Sequence, residues 1–74
     1  MTYAAFHVDD YRPDGMIVAI GADREAVQAQ AIQRVLTIGA TFGEIQIQRR
    51  DDLADIADET AEHLQAFFAT KVAA

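Results

Sequence analysis

The chain has no cysteine, which excludes disulfide staples and thiolate metal sites and fits a reducing compartment. No apolar run approaches the ~20 residues that a membrane-crossing helix requires. The opening residues, M-T-Y-A-A-F-H, lack the basic and apolar regions of a secretion signal. A cytoplasmic location with no membrane partner is therefore expected. The signatures of catalysis are missing too. There is no Gly-x-Ser-x-Gly, no phosphate-cradling glycine loop, and the single G-x-D at Gly21 lacks the other glycines of a dinucleotide motif. Glu59 and His63 stand i, i+4 on an expected helix, as do Asp55 and Glu59. No third or fourth ligand accompanies them, and hard cations need more oxygens, so these read as ordinary helical pairs. No catalytic, cofactor-binding or metal-binding residue is assigned, and the chain is not expected to be an enzyme.

Basic residues are the other shortage. Six Lys and Arg face twelve Asp and Glu, for a formal net charge of −6. Six carboxylates, Asp51, Asp52, Asp55, Asp58, Glu59 and Glu62, fall in one segment that contains no base. The remaining six balance the six bases elsewhere, so this one stretch carries the whole net charge. Nucleic-acid binding runs on phosphate neutralisation by Lys and Arg, so direct contact with DNA or RNA is not expected.

What is present is enough for one small domain over residues 1–74. About half the residues, 51%, are apolar, and disorder is not expected. The chain is organised around Gly15 to Leu36, where an apolar strand, Met16–Ile20, feeds through Gly21 into a helix. Asp23 is the expected helix N-cap and Gly39 the residue that ends it, giving a helix over about Asp23–Ile38. Its apolar residues Val27, Ala31, Ile32, Val35, Leu36 and Ile38 cover an arc of very roughly 200°, with Gln30, Gln33, Arg34 and Thr37 as the polar strip. So wide an arc calls for the sheet on one side and a second helix or another subunit on the other.

Tyr3–Val8 alternates loosely and reads as a first strand, with His7 half-buried or at the surface. R-P-D-G, Arg12 to Gly15, is a type I turn closing a hairpin with Met16–Ile20. Phe42, between Gly39 and Gly43, is expected to fold back as a lid on the core. Glu44–Arg49 alternates cleanly, with Ile45 and Ile47 inward and Glu44, Gln46 and Gln48 in water. From Asp51 a second helix is expected, its apolar face formed by Leu53, Ile56, Ala57, Thr60, Ala61, Leu64, Phe67, Phe68 and Val72. The fold class is α+β in the order β-β-α-β-α, a three-stranded sheet with two helices packed on one face. The expected core is Ile17 or Val18 with Ile20, Val35, Ile45, Ile47, Leu64 and Phe67. The strand order is open, though a helical crossover makes the third strand parallel to the second if they share a sheet.

On a continuous helix all six carboxylates fall opposite Leu64. At about 1.5 Å rise per residue they span roughly 17 Å. That is about one charge per 3 Å, close to the ~3.4 Å phosphate spacing of one DNA strand. Acids in a first turn suit the helix dipole, as Lys71 does near the far end. An exposed face normally mixes signs, however, because like charges at i, i+4 repel. A basic partner is the expected reason for this one.

In size, topology and charge the chain resembles the small acidic anti-CRISPR proteins of phages and mobile elements, especially those acting on type I systems. That resemblance implies a stoichiometric protein inhibitor that binds Cas subunits of a multi-subunit surveillance complex and blocks target DNA recognition. It further implies that carboxylates, here Asp51, Asp52, Asp55, Asp58, Glu59 and Glu62, engage the lysines and arginines that otherwise hold DNA. Arg49 and Arg50 depart from a uniformly acidic DNA mimic. The alternative is an antitoxin or regulatory module of the HicB type, whose hairpin-helix unit shares the D-G-x-x-V and polar, alanine-rich helix found at Asp14–Leu36. HicB antitoxins usually add a DNA-binding tail, which is not seen here. A monomer or small homo-oligomer is compatible with either.

Gel shifts with single- and double-stranded DNA at low salt, where electrostatic binding is exaggerated, are expected to be blank. Retardation that weakens with added salt would reverse this reading and favour the regulator.

Overall fold

The computed structural model describes residues 1–40 and 42–72 of the chain. Three strands, β1 (Tyr3–Val8), β2 (Met16–Gly21) and β3 (Glu44–Arg49), form one antiparallel sheet in the order β2-β1-β3. The helix α1 (Arg24–Thr37) connects β2 to β3, and a 3₁₀ segment (Asp51–Ile56) leads into α2 (Ala57–Val72). This is the expected α+β order. β1, flanked on both sides, takes the centre, so β2 and β3 run parallel to each other without touching.

The hairpin is built as its residues dictate. Asp9 Oδ1 accepts from the Tyr11 and Arg12 amides at 2.9 and 2.8 Å. The Gly15 amide then closes the Arg12–Gly15 turn on the Arg12 carbonyl at 3.0 Å. Asp23 caps α1, accepting from the Glu25 amide at 3.0 Å. At the other end Gly39, at φ +71°, supports two closing bonds, Gly39 to the Leu36 carbonyl and Ala40 to that of Val35, both 3.1 Å. These are the paired bonds of a Schellman motif. Gly43 is needed for a different reason: a Cβ there would fall against the Val8 carbonyl.

Register fixes which residues share a face. Ala5 pairs with Ala19 and Ile47, and His7 with Ile45, on the side that the helices cover. Phe6 pairs with Ile17 and Gln46 on the other side, where Gln46 and Gln48 are exposed and Phe6, Val8 and Ile17 half-buried. The ladder between β1 and β2 slips at Ala5/Phe6, leaving Val18 as an extra residue. Val18 is completely buried, and its carbonyl accepts from Arg34 Nη1 at 2.8 Å. The same guanidinium lies 5.2 Å from the centre of the Phe68 ring. Arg34 thus joins β2, α1 and α2 at one point. Its side chain is buried, contrary to its expected place on the polar strip.

Around this point the core comprises Ala4, Ala5, Val18, Ala19, Ile20, Val27, Ala31, Val35, Leu64 and Phe68. Ile45 and Ile47 pack against it half-buried. Phe67, expected inside, is 43% exposed, while Phe68 is 4% exposed. The i, i+4 pair Leu64–Phe68 lies on one narrow line of the helix, and Phe67 falls to its flank. Phe42 is also no lid, at 84% exposure. Ile32 and Leu36 of α1 remain 45% and 67% exposed beside β3. The side chain of Val72, expected on the α2 stripe, lies outside the described residues.

Leu64→Ala should cost about 2–5 kcal/mol and Phe68→Ala about 3–5 kcal/mol, whereas Phe67→Ala should cost much less. Thermal melts of the three variants rank them. Equal losses at Phe67 and Phe68 would contradict the packing of α2.

Candidate functional site

The acidic segment begins where β3 ends. Arg50 donates its backbone amide to the Thr2 carbonyl at 2.6 Å, and the Thr2 amide donates to Asp51 Oδ1 at 2.8 Å. This clasp ties the chain leaving β3 to the start of β1. The next residues close tightly, Leu53 N–H reaching the Arg50 carbonyl at 3.0 Å, and the backbone stays 3₁₀ until Ile56. A single α-helix from Asp51 was the expectation. The segment that follows this clasp is instead a 3₁₀ coil, of smaller radius and longer rise, before α2 begins at Ala57. One consequence is that the six carboxylates do not form a single evenly spaced ladder.

They fall into two sets. Asp51 Oδ2 accepts from Arg49 Nε at 2.9 Å, and Asp52 takes both Nε and Nη2 of Arg50 at 3.0 and 2.9 Å. The Thr2 amide, then the Arg49 guanidinium, hold the Asp51 carboxyl below the usual carboxylate range. The Arg50 guanidinium does the same for Asp52. Reciprocally, Asp52 raises Arg50. Arg50 also stands 5.8 Å from the centre of the Phe6 ring, on the glutamine face of the sheet. These two acids are locally compensated by the bases that precede them in the chain.

Asp55, Asp58, Glu59 and Glu62 make up the second set. All four are exposed, and no ion pair or side-chain hydrogen bond engages them among the described residues. On α2 the core line runs through Ala57, Ala61, Leu64 and Phe68, which turns Asp58, Glu59 and Glu62 to the outer surface. His63 is exposed beside them. Among the described residues no group of three or more His, Asp or Glu is placed to hold a metal ion. No described helix is long and apolar enough to cross a membrane.

Two features escaped sequence reasoning. His7 is 3% exposed, its Nε2 donating to the Phe42 carbonyl at 2.7 Å, with Nδ1 3.9 Å from Asp9 Oδ2. It ties the loop before β3 to the central strand, and the odd-numbered positions it shares with Ala5 were the available signal. The second is a pair of exposed aromatics, Tyr11 at 94% and Phe42 at 84%, bordering one hollow with Asp9, Asp10 and Glu44. Exposed aromatics are enriched at protein interfaces.

Because the Asp51 and Asp52 carboxyls sit lower in the folded chain, their stabilisation is present above the unfolded value of about 3.9. It is lost as pH falls through the folded value. Asp51→Asn should therefore flatten the acid limb of the melting-temperature profile below about pH 4. An acid limb of unchanged steepness would show that the Thr2 and Arg49 contacts contribute nothing in solution.

Comparison of the chain with protein-family models, with curated proteins and with solved structures returned no match in any of the three.

Proposed function

We propose that the protein is a non-enzymatic inhibitor that docks an acidic face on a basic protein surface. By the anti-CRISPR resemblance, that surface is the DNA-binding channel of a type I CRISPR-Cas surveillance complex, in the cytoplasm of the host bacterium if the chain is phage-encoded. The observation that supports this reading is the group Asp55, Asp58, Glu59 and Glu62, exposed on the outer surface with no cationic partner among the described residues. Uncompensated like charges on adjacent helical positions repel, a modest cost in the free protein. A basic partner turns that cost into attraction and speeds encounter through long-range steering. Asp51 and Asp52 play a smaller part, because Arg49 and Arg50 already neutralise them.

The HicB-like antitoxin reading draws on the order hairpin then helix, present here as β1–β2–α1. A toxin as partner in place of a surveillance complex distinguishes the two.

The test reverses Asp55, Asp58 and Glu62 to Lys. Folding should survive, since all three side chains are exposed and Asp58 and Glu62 sit opposite Leu64. Binding of both proteins to purified type I surveillance complex is then measured at two salt concentrations. Wild type should bind, more weakly in high salt, and the triple variant should associate slowly and fail to inhibit. Equal, salt-independent binding would reduce the acidic face to a solvated surface. Absence of binding by either protein would reject the surveillance complex as the partner.

A further inference from the structure

We propose that the protein self-associates through the outer edge of β3, two copies pairing these strands antiparallel about a two-fold axis to make one six-stranded sheet. The acidic face of α2 lies on the β2 side and stays outside this interface, so the proposal is independent of the inhibitor reading.

The order β2-β1-β3 leaves β3 with a strand neighbour on one side only among the described residues. α2 packs on β2, whereas besides β1 the element packed on β3 is α1. Natural edge strands are usually blunted by proline, a bulge or an inward charge. β3 has no proline and no bulge, its pairing with β1 is regular along its whole length, and the one charge on its helix-side face, Arg49, stands at the strand's end and is held by Asp51.

Charge complementarity selects a second copy as the occupant. Glu44, Gln46, Gln48 and Arg50 alternate onto one face of the sheet. Gln46 Nε2 donates to Glu44 Oε1 at 3.0 Å, and Arg50 turns Nη1 toward Gln48 Oε1 at 3.4 Å while Asp52 holds its other nitrogens. The row therefore has an acid at its start and, at its end, a base that Asp52 shares. Antiparallel pairing reverses the row. In the register centred on Ile47, which keeps the two faces matched, each Glu44 stands opposite the other copy's Arg50. Opposite-charge pairs at such positions stabilise a sheet, and the exchange is reciprocal, as an isologous two-fold contact requires.

The other face supplies the apolar part. Ile45 and Ile47 are half-buried there, and Ile32 and Leu36 of α1 extend the same groove at 45% and 67% exposure. Gln28 completes this flank of α1 without charge. On a chain of net charge −6, this stretch of α1 adds no further acid to the contact.

Sedimentation velocity at micromolar chain concentration tests the assignment. Wild type is expected at twice the 8.1 kDa chain mass. Leu36→Asp and Glu44→Lys, both at exposed positions, should sediment as single chains with unchanged far-UV circular dichroism. Hydrogen exchange of the β3 amides should slow with increasing wild-type concentration, while that of β2 stays constant. A wild type that sediments as one chain overturns the proposal. So does a dimer that survives both substitutions, since it must use another surface.

Discussion

Much of this structure depends on where Arg34 goes. A guanidinium is costly to bury unless its donors and charge are met, and here the Val18 carbonyl takes one donor and the Phe68 ring faces the charge. The carbonyl is available because the β1–β2 ladder slips at Ala5/Phe6 and leaves Val18 out of register. A buried backbone oxygen displaced from a ladder needs a donor. The bulge and the buried arginine thus explain each other.

Turning Arg34 inward also sets the rotation of α1. With Val27, Ala31, Arg34 and Val35 facing the sheet and α2, helical geometry carries Ile32 and Leu36 round to the flank beside β3. The apolar arc of α1 is wider than the neighbours it finds within one chain. Phe68 follows the same logic on α2: the helix comes to rest where its ring covers the guanidinium, and Phe67 is left at the side with Lys71 5.1 Å from its ring centre.

Charge is organised by chain proximity rather than by helix geometry. Arg49 and Arg50 are two residues ahead of Asp51 and Asp52, and each arginine reaches its i+2 carboxylate. Such exposed pairs contribute little to stability, but they divide the acidic segment. Asp51 is held by the Thr2 clasp and Arg49, Asp52 by Arg50, and the four that follow face outward. The uncompensated charge is consequently concentrated from Asp55 to Glu62.

Local sequence determined the elements, because their causes are local. The alternation of Glu44–Arg49, the Asp23 cap, the Gly39 terminus and the R-P-D-G turn each act within a few residues, and all four stand as read. The central place of β1, the bulge at Val18 and the inward turn of Arg34 were decided only by tertiary packing. Periodicity assigns residues to faces but not the exact azimuth, so it could not rank Phe68 over Phe67 or exclude Ile32 and Leu36 from the core. The face of His7 was open to reading from its alternation with Ala5, but its partner was not, because the Phe42 carbonyl is a backbone group 35 positions away. For the candidate site, the exposed carboxylates of α2 were legible from their spacing against Leu64. Their separation from Asp51 and Asp52 was not, because it depends on the turn at Arg50–Leu53 and on the Thr2 amide, a partner 49 positions from Asp51.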